Sequence, residues 1–377
     1  MAHYKISDVA EEVKDRENNP SESKYDRFVG LEHYVSGDVE ITHFGSTERL
    51  ESAMKVFKAG DILIARRNVY LKRASTVSFD GLTSGDSIVL RAKDPTIARI
   101  LPFVLNTDDF WDYADQYSDG TMSKRLSPKL LLAYEFDLPD DGLEDFADLL
   151  WAANETRNSY RELLRQTDEL VKSQFIEVIQ PLLDTGKTIP LGELVDSDRP
   201  ITYGILKPGT GFPGGVPVIK VKDMKDGLID QTDLLLTSPE IDNNYKRSRL
   251  RAGDLLVSIR GSVGRMAEVP ENLENANITQ DTARLTIKKE YNKVFVRGVL
   301  ESEPLQRDME KNIRGVAVKG INIGYLRELG IPVCERHKQD ELAALYVQSD
   351  KSKFELKQAI ERVTNLMKSL MQQDFAN

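Results

Sequence analysis

The feature of this sequence that most constrains its fold is an internal duplication. Four segments of the first half recur in the second half, in the same order, each 193 to 196 residues later. One shared segment could arise by chance, but four in one order indicate a duplicated module, and this spacing lies far beyond the repeat periods of solenoid proteins. The pairs are KAGDILIARR (58–67) with RAGDLLVSIR (251–260), SGDSIVLRAK (84–93) with TQDTARLTIK (279–288), RLSPKLLLAYEFDLP (125–139) with GINIGYLRELGIPV (320–333), and ELVKS (169–173) with NLMKS (365–369).

Length and composition agree with two modules. The 377 residues exceed one ordinary domain, and 40% of them are hydrophobic, which supplies core material for two. The only cysteine, Cys334, excludes a disulfide framework and a thiolate metal site, which favours a reducing compartment. No apolar run approaches the ~18 residues of a membrane span, and the first residues lack the order of a secretory signal. We therefore expect a cytoplasmic protein without a membrane partner.

Each module is predicted to end in a long helix. Apolar residues at alternating spacings of three and four run from Leu143 to Val178, roughly 36 residues or about 54 Å of helix, and a similar stripe runs from Leu342 to Leu370. Stripes this narrow favour a coiled-coil partner, so we expect the two helices to pack on each other as an antiparallel pair. The alternative is that each helix packs on its own domain. The residues expected at the helix–helix contact are Leu150, Tyr160, Leu164, Val171, Leu356, Ile360, Val363, Met367 and Leu370.

The predicted fold class follows from these elements. It is mixed α/β (α+β), with two tandem, duplicated domains that are each followed by a long helix. The Gly-Asp turns and the β-branched runs after them indicate buried strands in both domains. The predicted boundaries are a first domain at 1–142, a first helix at 143–180, a second domain at 181–338 and a second helix at 339–377.

The charge of the chain is unevenly distributed. The net charge is −10, from 51 basic and 61 acidic side chains, which taken alone argues against a nucleic-acid partner. Residues 135–148 hold seven carboxylates and no base, whereas 246–265 holds six bases and one acid. Segments of opposite sign can face different partners, so the acidic total weakens a nucleic-acid function without removing it.

The sequence contains no recognisable catalytic motif. There is no HExxH, no zinc-ligand spacing and no GxSxG, and the adenine-methyltransferase signature of Asn or Asp followed by two prolines and an aromatic residue is missing. We therefore expect neither catalytic residues nor a metal site, and the chain is predicted to be a binding protein.

Basic and amide side chains in equivalent loops of the two modules are the candidate DNA contacts. Arginine and lysine reach guanine edges and phosphates, and asparagine reads adenine. In isolation such residues are as easily explained as solvated loop charges, but their recurrence in the same loop of both modules favours a binding function. The candidates are Arg66, Arg67, Asn68, Tyr70, Lys72, Arg73, Lys124 and Arg125 in the first module, and Arg260, Ser262, Arg265, Arg314, Lys319 and Asn322 in the second.

These motifs resemble a known family over essentially the whole chain. The order of GDLLVSIRGSVGR, NITQDTARL and VKGINIGYL in the second module, repeated more loosely in the first, is similar to the target-recognition domains of the specificity subunits of Type I restriction-modification systems. The first module, with ARRNVYLKRAS, SGDSIVL and MSKRLSPKLL, departs from that pattern but keeps its order, as a different half-site would demand.

The resemblance implies a DNA-recognition subunit without catalytic residues. It would read a bipartite target in double-stranded DNA and bind two adenine-methyltransferase subunits, which would bring S-adenosylmethionine, and restriction (motor-nuclease) subunits, which would use ATP and Mg. The chain itself would need no cofactor. Two other functions stay open on the sequence: a stand-alone DNA-processing enzyme with a cryptic site, and a coiled-coil scaffold that binds only protein.

Overall fold

The structure, a computed structural model, describes residues 2–120, 123–315 and 319–373. The chain folds into two units. Unit 1 comprises residues 1–161 and 358–377, and unit 2 comprises residues 162–357. Each unit therefore contains one of the duplicated domains together with part of each long helix, whereas the sequence-based boundaries had placed the helices apart from the domains.

Unit 1 is built around two small sheets. Its elements are β1 Ala2–Lys5, α1 Ile6–Val9, β2 Ala10–Glu12, β3 Arg16–Glu17, β4 Arg27–Val29, β5 Gly45–Ser46, β6 Met54–Phe57, β7 Ile62–Ala65, β8 Ala74–Thr76, β9 Gly81–Thr83, β10 Ser87–Ala92, α2 Pro95–Val104, α3 Asp108–Tyr117, α4 Pro128–Leu132, β11 Glu135–Leu138 and, to residue 161, the first long helix, α5 Leu143–Asp184. The first sheet has the strand order β2–β10–β7–β8, the second has the order β3–β6–β9–β4–β5, and β1 pairs with β11.

Unit 2 repeats this plan. The sheet β13–β21–β18–β19 corresponds to the first sheet of unit 1, and β12 pairs with β22 as β1 pairs with β11. Further strands form β17–β14–β20 and β15–β16. The elements are β12 Thr188–Pro190, α6 Leu191–Leu194, β13 Thr202–Tyr203, β14 Val216–Ile219, β15 Met224–Lys225, β16 Leu228–Ile229, β17 Leu235–Thr237, α7 Pro239–Asn244, β18 Leu255–Ser258, β19 Met266–Glu268, β20 Asn277–Ile278, β21 Thr282–Leu285, α8 Lys293–Glu301, α9 Glu303–Lys311, α10 Ile323–Glu328, β22 Gly330–Pro332 and the second long helix, α11 Arg336–Gln373.

The continuous apolar run of the repeated strand reflects burial on both faces. On β7, Ile62 and Ile64 join one hydrophobic core, whereas Leu63 and Ala65 join another on the opposite face of the sheet. Strands that are covered on both sides lose the polar alternation of half-exposed strands. The duplicated ILIA and LLVS motifs are therefore a signature of the central strand of each sheet.

The Gly-Asp turn before that strand has the same construction in both units. Gly60 and Gly253 lie at φ of 89° and 82°, a left-handed conformation that glycine adopts without a steric penalty. The following aspartate, Asp61 or Asp254, accepts a hydrogen bond from the backbone N–H three residues earlier, at 2.8 Å in unit 1 and 2.7 Å in unit 2. The AGD motif recurs because this turn needs both residue types.

The long helices contribute directly to the core of each unit. In unit 1, Leu150 and Ala153 of α5 share one hydrophobic core with Met367 and Met371 of α11. Within unit 2 the two helices run antiparallel. Asp168 of α5 lies 3.3 Å from Lys353 of α11. Phe175, later on α5, contacts Tyr346, earlier on α11: the buried Phe175 ring packs edge-on against the Tyr346 ring, with 5.9 Å between the ring centroids.

The residues expected at the helix–helix contact fall into two groups. Leu150, Val171 and Met367 are buried, and Val363 and Leu370 are partly buried against the core of unit 1. In contrast, Tyr160, Leu164, Leu356 and Ile360, in the middle of the helices, are only half-buried. The apolar stripes are thus most deeply buried where the helices meet the domains.

The first long helix extends beyond residue 180, where it was expected to end. Pro181 lies in its last turn, and the helix ends at Asp184. A proline removes one N–H donor from the helix. The helix end is closed by a turn in which Gly186 adopts a φ of 67° and the Lys187 N–H donates to the Leu182 carbonyl at 2.9 Å. The second helix begins at Arg336, three residues before its expected start.

Candidate nucleic-acid interface

Two distant segments of unit 1 meet just beyond the central strand. Residues 66–68 follow β7 and pair with residues 123–126; we call them the first loop pair. The Asn68 N–H donates to the Lys124 carbonyl at 3.0 Å, and the Leu126 N–H donates to the Arg66 carbonyl at 2.9 Å. Asn68 adopts a left-handed φ of 55°, which an asparagine tolerates better than most residues. The two candidate clusters of the first module therefore form one surface.

Most of the bases on the first loop pair are paired with acids of unit 1. The carboxylate of Asp86 forms ion pairs with the Nε of Arg67 at 3.0 Å and with the Nη2 of Arg125 at 2.6 Å. Lys124 contacts both the carbonyl and the carboxylate of Asp115, each at 2.7 Å. The positive field of this loop pair is therefore weaker than its sequence indicates.

The remaining candidates of the first module lie beside the loop pair. Lys72 pairs with Asp108 at 2.6 Å, and Arg73 donates to the carbonyls of Leu31 and Arg67 at 3.1 and 3.0 Å. These two residues thus make structural contacts within unit 1.

Arg66 and Tyr70 are the least engaged side chains of this group. Burial lowers the pKa of Arg66, and its Nε has no hydrogen-bond partner among the residues that the structure describes. Tyr70 is 64% exposed. An exposed tyrosine ring is a group that a nucleic acid can contact, whereas the Nε of Arg66 is buried and is not accessible to one.

The same backbone closure occurs in unit 2. Residues 259–265 follow β18 and contact residues 319–321, which also pair with Arg314; we call all of these residues the second loop pair. The Gly261 N–H donates to the Lys319 carbonyl at 3.1 Å, and the Ile321 N–H donates to the Ile259 carbonyl at 2.9 Å. Gly261 and Gly264 lie at φ of 72° and 87°. Both glycines therefore serve the tight turn that carries the candidate arginines.

The bases of the second loop pair are less engaged than those of the first. Arg260 donates to the side chain of Gln280 at 2.8 Å, and its guanidinium lies 3.9 Å from the carboxylate of Asp281. The side chains of Arg265, Arg314 and Lys319 are exposed. None of these three makes a side-chain hydrogen bond or ion pair with a residue in the described ranges.

Two polar candidates of the second module have local roles. The Ser262 carbonyl accepts a hydrogen bond from the Ser258 hydroxyl at 2.5 Å, which holds the turn, while the Ser262 side chain is exposed. Asn322 caps α10, because its side-chain oxygen accepts the Gly324 N–H at 2.7 Å. A helix cap accounts for Asn322 without a nucleic-acid contact.

The sequence-based candidates omitted the acids and amides that organise these loops. Asp86 and Asp281 occupy the same place in the two units, since the Arg66 N–H donates to the Asp86 carbonyl at 2.9 Å and the Ile259 N–H donates to the Asp281 carbonyl at 2.8 Å. Gln280 was also omitted. The signal was present, because the SGDS and TQDT segments of the repeat carry all three residues.

The described part of the chain contains no group of three or more His, Cys, Asp or Glu side chains that could hold a metal ion. None of its helices is long and apolar enough to cross a lipid bilayer.

Solved structures of known proteins share this architecture. The chain aligns over its whole length with the crystal structure of a Type I restriction-modification S subunit from M. genitalium, at 14% identity and a TM-score of 0.55, covering 100% of this chain and 96% of that one. The chain has the fold of a Type I specificity subunit.

Two further comparisons agree with the Type I specificity-subunit fold. A chain from a structural study of complex assembly and conformational transition in a Type I restriction-modification system aligns at 18% identity and a TM-score of 0.52, covering 99% of this chain and 97% of that one. In sequence, 199 residues are 33% identical to the Type I restriction enzyme EcoBI specificity subunit of Escherichia coli. That alignment covers 51% of this chain and 41% of the relative, so it spans less than half of that protein. No family model matches the sequence.

The predicted fold class, with two tandem domains and long antiparallel helices, is therefore confirmed, and so is the resemblance inferred from the sequence. The specificity-subunit fold also explains the duplication, because each copy of the repeat builds one domain and its loop pair.

Proposed function

We propose that the chain is the non-catalytic DNA-specificity subunit of a Type I restriction-modification system in the cytoplasm. Each loop pair would contact one half of a bipartite target in double-stranded DNA. Adenine-methyltransferase subunits would bind to the chain and bring S-adenosylmethionine, and restriction subunits would use ATP and Mg. The chain would supply sequence recognition and a frame for assembly.

The observation that carries this proposal is the duplicated loop pair. In both units a segment that follows the central strand closes by equivalent backbone hydrogen bonds onto a basic segment far away in the sequence. Two loop pairs with the same backbone closure and different side chains suit an asymmetric two-part target, because different side chains can contact different bases. A protein-binding scaffold would not require arginine and lysine at these turns.

An exchange of the first domain tests this function. Residues 1–142 are replaced with the equivalent segment of a specificity subunit whose target is known, and the assembled methyltransferase complex is expressed in cells. Methylome sequencing is expected to show one half of the target changed and the other half retained. A reciprocal exchange of residues 181–338 is the matched control and should change the other half. The two-reader function is wrong if either exchange leaves the target unchanged or alters both halves.

Single substitutions then separate base contacts from phosphate contacts in the second loop pair. If Arg260 contacts a base in two places, Arg260→Ala should weaken binding by ~1–3 kcal/mol and relax the preference at one position of one half-site. If Arg265 contacts a phosphate, Arg265→Ala should weaken binding to all sequences alike and reduce the salt slope by about one. The two roles could be exchanged between these residues.

The measurement is binding of the assembled methyltransferase complex to matched and single-mismatch duplexes across a salt series. Lys351→Gln is the control. Lys351 is exposed on α11 of unit 2, so this substitution also removes one positive charge, but outside the loop pair. Arginine variants that keep both the wild-type discrimination and the wild-type salt slope would show that the second loop pair does not touch DNA.

A further inference from the structure

Unit 2 contains a basic cavity that is separate from the residues of the second loop pair. The cavity has a volume of about 670 Å³ and lies between the segment before β13, residues 246–251 and β21. Two carboxylates, Asp198 and Glu274, also line it. Basic side chains dominate its wall: Arg199, Lys246, Arg247, Arg249, Arg251, Arg284 and Arg327.

Several of these cations have no protein partner. Arg199 is neutralised by the buried carboxylate of Asp254 at 3.0 Å, and Arg249 is neutralised by the buried carboxylate of Asp242. In contrast, Lys246, Arg247 and Arg251 are exposed, and their side chains make no ion pair or hydrogen bond within the described ranges. The cavity therefore keeps an excess of positive charge after its internal pairs are counted.

Arg284 is the least expected member of this wall. It is only 2% exposed, and its guanidinium makes one hydrogen bond, from Nη2 to the Pro200 carbonyl at 3.0 Å. Its Nε has no partner among the described residues. Burial, together with the neighbouring charge of Arg199, lowers the pKa of Arg284 to about 10. The nearby carboxylates of Asp254 and Asp196 favour its charged form but make no hydrogen bond to it, and a buried cation without a hydrogen-bonded anion is strongly destabilising.

The fold itself does not require an arginine at this position. Arg284 on β21 lies opposite Leu256 of the central strand. The equivalent residue of unit 1 is Val89, which lies opposite Leu63 in the same way and is fully buried. Since valine fills the place in one copy of the repeat, the arginine in the other copy points to a ligand rather than to packing.

We infer that this cavity binds a phosphate group, with Arg284 at its base and Arg251 and Arg247 at its rim. Guanidinium groups bind phosphate oxygens through paired, charge-assisted hydrogen bonds, and a phosphate would supply the anion that Arg284 lacks. The group can come from the DNA backbone or from a free phosphorylated molecule. Only the assignment to DNA rests on the proposed function, because the cavity and its charges do not depend on it.

Titration of the chain with inorganic pyrophosphate at constant ionic strength tests the site directly. Calorimetry should detect binding to the wild type, and Arg251→Gln and Arg284→Met should each weaken it by about tenfold, since each removes a charged hydrogen-bond donor. Lys351→Gln is the control and should bind as the wild type does. Arg251→Gln guards against misfolding, because Arg251 is exposed and only its backbone N–H holds the Gly-Asp turn.

The outcomes separate support from refutation. If pyrophosphate does not bind the wild type, or binds equally to the wild type and to both arginine variants, the phosphate site does not exist. If the variants lose pyrophosphate and also lower the salt slope of duplex binding by the assembled complex by about one, the phosphate belongs to DNA. If they lose pyrophosphate and keep the salt slope, the ligand is a free phosphorylated molecule. Failure of the domain exchange would refute the proposed function and leave the pyrophosphate result unaffected.

Discussion

Replacement of Phe175 by alanine should loosen unit 2 more than any exposed substitution on the same helices. Phe175 is 2% exposed on α5. Its ring stacks on Phe295 with 6.1 Å between centroids and meets Tyr346 edge-on at 5.9 Å. The ring also fills the space beside Gly298, where an added Cβ would lie 2.4 Å from it. The side chain thus ties the long helices to α8.

The expected magnitude follows from that burial. Truncation of a buried phenylalanine to alanine typically costs ~3–5 kcal/mol, because the transferred surface is lost and a cavity remains. The two ring contacts place Phe175→Ala toward the upper part of that range, since aromatic pairs contribute about 0.5–1.5 kcal/mol beyond their buried area. The matched control is Phe354→Ala on α11, where the ring is 55% exposed and the expected change is within about 0.5 kcal/mol.

Hydrogen exchange measured peptide by peptide is the appropriate assay, because a chain with two units need not unfold in one step. Peptides from α8 and from residues 342–350 should exchange faster in Phe175→Ala, while the sheets of unit 1 report a baseline. If Phe175→Ala and Phe354→Ala give the same small effect, the packing of the long helices against α8 is not what stabilises unit 2.

Three further perturbations test other parts of the structure. Met367→Ala should destabilise unit 1 by ~2–5 kcal/mol because Met367 is 7% exposed in its core, whereas Leu366→Ala, at a 51% exposed position, should be near neutral in hydrogen exchange. Asp86→Asn should steepen the salt dependence of DNA binding by the assembled complex, since it removes the carboxylate that pairs two arginines of the first loop pair; an unchanged slope would contradict that pairing. The hydrogen bond to Asp137 raises the pKa of His3. The stabilisation of β1–β11 pairing by His3 should therefore be full below the unfolded pKa of about 6.5 and lost as the pH rises through the higher pKa of the folded state. A proton NMR titration in which the pKa of His3 is not raised would contradict this.

The contrast between the loop pairs has a consequence for binding. In the first pair, Asp86 engages two arginines that face the candidate surface. In the second pair, three cations have no side-chain partner in the described ranges. Unpaired cations contribute most to phosphate binding and to its salt dependence. On the proposed function, the second half-site should therefore contribute more of the sequence-independent affinity.

The sequence by itself determined the duplication, the Gly-Asp turns, the long helices and the absence of a catalytic motif. These features depend on local rules. A left-handed turn needs glycine, a strand covered on both faces is apolar throughout, and a helix with a narrow buried stripe repeats every three or four residues. Each rule acts over a few neighbouring residues, so the printed sequence is enough to reveal it.

Only the tertiary structure decided which charges are available to a ligand. Asp86 lies far along the chain from Arg67 and Arg125, yet the fold brings it within 3.0 and 2.6 Å of them. Arg284 looks in the sequence like an ordinary polar residue of a strand, yet the sheet buries it with no acid hydrogen-bonded to it. Electrostatic energies depend on distance in space and on desolvation, and neither quantity can be obtained from the order of residues before the chain folds.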